Sequence, residues 1–264
     1  MPLYSATSPL PVNMERRRTF NPSRISNLDL WLDAADQNTL FDATTGGNFV
    51  TTNGGSVKRW EDKSGGNRHA SCAGHTLIFP TLTTNGKNGK NVINFATSKY
   101  LTCSFTGVTY TAQTSFIVFQ FLSGALTNAR ALTQATSLQG NDFNGDHYIQ
   151  VVRNSSNNQF CSQASGNFRS TVSATPNQYY IARARHTGSN LTLKLNSSEG
   201  SSFAHTLNFN FSVFRIGSFI PANALPASSH LNSPVAEVII YRKSLTDAES
   251  DLVTNYLNSK WAVF

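Results

Sequence analysis

The chain has 264 residues and a formal net charge of +7, with only 13% of its residues charged, against about 25% in a typical soluble domain. Its length fits one large all-β domain or two small ones, and burial of roughly three quarters of the unfolded surface leaves no need for disulfide or metal staples. Apolar residues at 39%, including 18 Phe, exclude a disordered chain. Asn (27), Ser (31) and Thr (27) make up about a third of the sequence; they favour strands and polar turns over long helices, because their side chains compete for the helix backbone.

Residues 1–26 carry Arg16, Arg17, Arg18 and Arg24 against Glu15 alone, together with Pro2, Pro9, Pro11 and Pro22. Proline breaks helices and removes ladder donors, so this stretch is read as an extended basic arm outside the main fold, suited to tethering on neighbouring subunits. A single short Arg cluster without interleaved aromatics argues against nucleic acid as a partner. The opening MPLYSATSPL has no basic region followed by an apolar stretch, so no secretory signal is expected. The densest apolar run, 116–122, is interrupted by Gln120 and falls well short of the roughly 20 residues of a membrane span.

From Leu28 the pattern becomes that of short strands. Leu28, Leu30 and Leu32 alternate with Asp29, Trp31 and Asp33, placing apolar surface on both faces. Further strands are predicted at 57–61, 91–95, 100–105, 115–122, 147–153, 179–186, 190–196, 213–219 and 236–242, each bounded by Gly, Asn and Ser clusters. Residues 179–195 read as a hairpin in which Leu191, Leu193 and Leu195 face the core and Thr192 and Lys194 face water. So many short strands mean a β-sandwich or a closed barrel. One helix is predicted at the end: Thr246 and Glu249 fit a capping box, and Leu252, Val253, Tyr256, Leu257 and Trp261 follow at helical spacing. Cys72, Cys103 and Cys161 are an odd set without paired spacing and are read as reduced thiols, as expected in a reducing compartment. The sequons at Asn154, Asn190, Asn196 and Asn210 are given no weight in so Asn-rich a chain.

Several runs carry a family resemblance. Leu30-Trp-Leu-Asp-Ala-Ala-Asp36 is followed by Val57-Lys-Arg-Trp-Glu-Asp-Lys-Ser-Gly65, Arg68-His-Ala70 and Val92-Ile-Asn-Phe95. Near the end stand Val235-Ala-Glu-Val-Ile-Ile-Tyr-Arg-Lys-Ser-Leu-Thr-Asp-Ala-Glu249 and Tyr256-Leu-Asn-Ser-Lys-Trp261. Together these resemble the concanavalin A-like lectin/glucanase superfamily in its laminin-G-like branch, over residues 27–264. The resemblance implies an all-β jelly-roll sandwich of two antiparallel sheets with a short C-terminal helix, in which 28–33 pairs near 236–242 and Trp60 anchors the core. Asp62 and Ser64 are read as a side-chain-stabilised turn before Gly65.

The chemistry of sites is sparse. Related glucanases place two carboxylates at alternate positions of one strand; Glu61 and Asp62 are adjacent, and Glu199, Glu237 and Glu249 have no second acid at that spacing. No nucleophile elbow, zinc-protease motif or phosphate loop is present, so no catalytic residue and no cofactor is assigned and the chain is read as not an enzyme. His69, Cys72 and His75 stand at three-residue intervals but want a fourth zinc ligand. Asp142, Asn144 and Asp146 begin like a calcium loop, yet Gly145, His147 and Arg153 break its pattern. No metal is therefore assigned. Sugar contact needs exposed aromatics beside polar groups, and the loop candidates are Phe143 with Asn141 and Asn144, and Phe168 with Asn167 and Arg169.

Domains of the resembled family occur on secreted bacterial proteins and on virus and phage particles. The leading expectation is a non-enzymatic structural or decoration protein of a virion, its arm tethered to capsid or other particle proteins, with a homo-oligomer compatible. The alternative is a lectin-like module that binds host or surface glycans, and the last alternative is a glucanase-type enzyme.

Overall fold

The computed structural model describes residues 20–72, 79–96, 99–105, 108–123, 129–135, 150–153, 159–164, 167–205, 212–218 and 230–264, with backbone alone for 135, 150–153, 161–164 and 167–169. In chain order the strands are β1 (Leu28–Asp33), β2 (Leu40–Phe41), β3 (Arg59–Trp60), β4 (Ala70–Ser71), β5 (Thr81–Lys87), β6 (Lys90–Phe95), β7 (Leu101–Ser104), β8 (Gln113–Phe121) and β9 (Arg130–Ala135). They continue as β10 (Gln150–Arg153), β11 (Gln159–Ala164), β12 (Asn167–Ser173), β13 (Gln178–His186), β14 (Asn190–Leu195), β15 (Ser198–Glu199), β16 (Phe203–Ala204), β17 (Val213–Ile216) and β18 (Ser233–Tyr241). Helix α1 (Asp247–Trp261) closes the order.

The strands form two antiparallel sheets. The first runs β15-β14-β13-β8-β18-β6-β5, with β1 also beside β18 and β16 beside β14; the second runs β12-β11-β10-β9-β17-β7-β4-β3-β2. The expected pairing of the first and last strands is present: Leu30 lies opposite Ile240, Leu32 opposite Val238 and Asp33 opposite Glu237. The expected hairpin is β13–β14, with Leu191, Leu193 and Leu195 buried and Thr192 and Lys194 half-buried. Strands β2, β4, β5, β9, β11, β12, β15 and β16 were not predicted. Four of these are two residues long, and the rest are rich in Thr, Ser, Asn and Gln.

Between the sheets lies the main core, with Trp60, Phe95, Phe105, Phe119, Phe121, Phe160 and Phe214 all buried in it. A second apolar layer covers the outer face of the first sheet. There Trp31, Phe116, Val118, Ile181, Ile239 and Tyr241 pack under Val253, Leu257 and Trp261 of α1. Strands β8 and β18 are therefore apolar on both faces, one face toward the partner sheet and one toward the helix. The helix starts where the capping box placed it: Thr246 Oγ1 accepts from Glu249 N–H at 3.2 Å, and the Glu249 carboxylate accepts from Thr246 N–H at 3.0 Å. Residues 20–26 join this layer. Pro22–Arg24 form one 3-10 turn, Ile25 is buried, and Tyr241 OH donates to Pro22 O at 3.0 Å.

A carboxylate sits at the centre of the helix–sheet layer. Glu237 is fully buried and accepts from Trp31 Nε1 (2.7 Å), Trp261 Nε1 (2.7 Å), Tyr256 OH (2.9 Å) and Lys260 Nζ (2.8 Å). A register shift in β18 between Val235 and Glu237 turns it there. Val235 faces the main core, and strict alternation would send Glu237 into the same apolar space; one bulged residue re-aims it toward the helix. Lys260 also pairs with Asp33, whose other oxygen is held by Lys63 Nζ at 3.0 Å. Burial, with Asp33 nearby, pushes the Glu237 carboxyl above the usual range, and Lys260 and Trp261 oppose that shift. Indole and ammonium groups only donate, so the ionised carboxylate is the form that satisfies them.

Glu237→Gln is expected to destabilise the fold by about 3 kcal/mol or more, because it leaves Lys260 and an indole facing an amide N–H₂. Chemical denaturation checks this, and a loss below about 1 kcal/mol would remove the cluster from its structural role. A second expectation concerns acid. His186 is fully buried, its Nδ1 accepts from Gly188 N–H at 2.8 Å, and burial depresses its pKa to about 4. The folded state therefore holds fewer protons than the unfolded one. The stability is fully present above pH 6.5 and falls as pH drops toward 4, by roughly 3 kcal/mol for this residue. Urea melts from pH 7 to 4 read that slope, and His186→Gln flattens it.

Candidate functional site

The sequence-derived candidates divide sharply. Asp62 is a structural hub: Oδ1 accepts from Trp31 N–H (3.0 Å) and Ser64 N–H (2.8 Å), and Oδ2 from Ser64 Oγ (2.8 Å) and Arg68 N–H (3.0 Å). This is the expected turn before Gly65, which takes φ +90, and it also ties the loop to β1. His69 Nδ1 accepts from Asp62 N–H at 3.1 Å, so that nitrogen is committed to the turn. Cys72 donates to Tyr100 O at 3.0 Å, and burial pushes its thiol pKa up to about 12. His75 lies outside the described residues, among which no three ligating side chains cluster. Cys72 and Cys103 are both buried cysteines.

Phe143, Asn144 and the other residues of 141–146 lie outside the described residues, as do Arg16, Arg17 and Arg18. Arg24 ends the 3-10 turn. Phe168 and Arg169 stand in strand β12 instead of the expected loop, opposite Gln163 and Ser162. The ladder already includes the Ala164–Asn167 pair, so the strand begins before Phe168.

A different constellation emerges on the second sheet. Directly opposed residues share a face, and one such row crosses its outer side: Phe49, Phe41, Arg59, Ser71, Thr102, Arg215 and Thr133. Their chain neighbours Leu40, Trp60, Ala70, Leu101, Phe214 and Leu132 point into the core. The row is buried at Thr102, Arg215 and Thr133 and opens at the β2 edge.

There Phe49 is half exposed (50%), and its ring centroid lies 5.0 Å from that of Phe41. The Arg59 guanidinium stacks over Phe41 at 4.0 Å. It is held by Glu61 Oε1 (3.1 Å), Ala43 O (3.2 Å) and Gly46 O (2.9 Å). The loop between the two Phe residues is closed by Asp42, whose Oδ1 accepts from Asn48 N–H at 2.7 Å; that bond lowers the Asp42 pKa. Gly46 and Gly47 carry the tight turn at φ +60 and +87. An apolar surface of two rings tilted at 48° thus stands beside a fixed guanidinium, two carboxylates and an amide. Such a surface can stack on the C–H face of a ring while the rim bonds its hydroxyls. The signal was in the sequence as Phe41-Asp42 and Asn48-Phe49 around Gly46-Gly47, but a two-residue strand has no readable period.

The carboxylates Asp33 and Glu237 face each other across strands, a pairing that single-strand spacing does not show. Both Glu237 oxygens and both Asp33 oxygens accept from protein donors under α1, which leaves no open acid–base pair there.

No protein-family model matches this sequence, and no curated protein does either. Solved structures do match. Domain 4 of an extracellular GH43 arabinanase from Geobacillus stearothermophilus, in complex with arabinotriose, aligns with a TM-score of 0.56 at 13% identity. The match covers 86% of this chain and 98% of that one. A Trypanosoma rangeli sialidase in complex with sialic acid aligns with a TM-score of 0.51 at 13% identity, over 89% of this chain. A GH54 α-L-arabinofuranosidase aligns with a TM-score of 0.56 at 10% identity, over 78%. The chain is a β-sandwich of their kind. It spans 33% of the sialidase chain and 51% of the arabinofuranosidase chain.

At Gly47 an added Cβ would stand 2.6 Å from Asp42 Oδ1, whereas at Gly46 nothing lies within 4 Å. Gly47→Ala is expected to cost about 2 kcal/mol and Gly46→Ala about 1 kcal/mol, the left-handed backbone penalty alone. Equal losses in thermal melts would show that the Asp42 loop does not depend on this close approach.

Proposed function

We propose that this chain is a non-enzymatic glycan-binding module of the concanavalin A-like, laminin-G-like kind, and that it binds sugar at the Phe41–Phe49 edge of the second sheet. The observation that carries the reading is the half-exposed Phe49 ring, braced by Phe41 and the stacked Arg59 and rimmed by Asp42, Asn48 and Glu61. A lone exposed Phe is ordinary on a protein surface; one set in a rigid aromatic–guanidinium frame with unlike charges around it is a built surface. Support comes also from the near whole-length likeness to an arabinanase domain solved with arabinotriose. Arg59 pairs with Glu61 and Asp42 stands beside Lys58, so the rim is close to charge-balanced and suits hydroxyl-rich, uncharged sugars.

The particle-decoration reading of the sequence gains no support from the fold or from the structures it resembles, and binding is the better-supported alternative. The test is a panel of neutral and sialylated glycans that includes arabinotriose, followed by titration calorimetry on any hit. Phe49→Ala is expected to weaken binding at least tenfold, about 1.4 kcal/mol, while Phe264→Ala, an exposed aromatic at the far end of the chain, leaves it unchanged. A silent panel, or a Phe49→Ala variant that binds like the parent, overturns the proposal.

A further inference from the structure

The outer face of α1 carries a groove of about 410 Å³, lined by Phe20, Leu252, Asn255, Tyr256, Ser259 and Lys260. It is independent of the Phe41–Phe49 surface, which lies on the other sheet. Leu252 is 49% exposed although it belongs to the apolar stripe of the helix. Tyr256 and Lys260 form the inner side and are anchored below by Glu237. Phe20 forms the opposite wall, edge-on to Tyr256 with ring centroids 6.0 Å apart. An aromatic and aliphatic trough of this kind suits a short proline-containing extended segment.

The chain itself supplies one. Nineteen residues precede Phe20, and they enter the described structure at the wall of the groove. They contain Pro9-Leu10-Pro11-Val12, then Arg16-Arg17-Arg18 next to the entry point. The seven residues between Val12 and Phe20 can span roughly 23 Å, while the groove from Leu252 to Ser259 is roughly 10 Å long. The reach therefore allows the segment to turn and lie back along the helix.

We propose that residues 9–12 dock in cis on the Phe20–Leu252–Tyr256 groove of the same chain. The arm is then a clasp on its own helix and not a free tether to a neighbour.

The test is limited trypsin digestion of the full chain, read by mass. The bonds after Arg16, Arg17 and Arg18 are the reporters. In the parent protein they are expected to be cut at least tenfold more slowly than in Leu252→Asp, whose half-exposed site puts a charge in the groove. Leu252→Met keeps the apolar surface and is expected to keep the protection. The calorimetric melt of Leu252→Asp confirms that the sandwich remains folded; if it does not, Ser259→Arg, at the groove's exposed far end, replaces it. Equal cleavage in parent and groove variants overturns the proposal. Protection that disappears on dilution overturns the cis assignment and places the arm on a second copy.

Discussion

The fold depends on one buried negative charge that has been fully supplied with donors. Glu237 sits where β1, β18 and α1 meet, and each of these elements contributes to its environment: Trp31 from β1 and Tyr256, Lys260 and Trp261 from α1. An isolated buried carboxylate would cost several kcal/mol. Four converging donors offset that cost only if helix and strand hold one geometry. The cluster therefore acts as a register pin: a helix shifted by one turn would strip Glu237 of Tyr256, Lys260 and Trp261, and a slip of β1 by one residue would leave the Trp31 indole without its partner. Apolar packing alone in this layer would tolerate such slippage more readily.

The two faces of the molecule are consequently unlike. The first sheet is covered by the helix and by residues 20–26, and its buried carboxylate Glu237 is supplied with donors from within that layer. The second sheet presents a cross-strand polar row to the outside, buried at Arg215 and open at Phe49. The Phe41–Phe49 surface accordingly lies at the edge of the second sheet, on which the described residues place no helix, on a loop held by Asp42 and Arg59.

Much of this scaffold was legible in the residues. The alternation around Leu28, Leu30 and Leu32 with a polar-apolar opposite face announced a strand covered on both sides, and the Thr246–Glu249 box located the helix start. Asp62 and Ser64 announced a turn because their short oxygens reach local amides. What escaped were features set by distance in the chain or by brevity. Glu237 looked solitary because Trp31 is 206 residues away, and a one-residue bulge leaves no trace in an apolar run. The Phe41–Phe49 surface was missed because β2 is too short to show a period, and Phe168, read as a loop residue, stands in β12.

The pairing of β1 with β18 has a consequence for how the chain comes into being. Its first strand cannot find its neighbour until residues more than 200 positions later have been synthesised. At 5–20 residues per second, roughly ten to forty seconds pass on the ribosome with the apolar edge of β1 unmatched. Folding dominated by such distant contacts is slow. The β1–β18 pairing can thus close only once β18 has been made, and until then the apolar residues of β1 lack the strand that covers their edge.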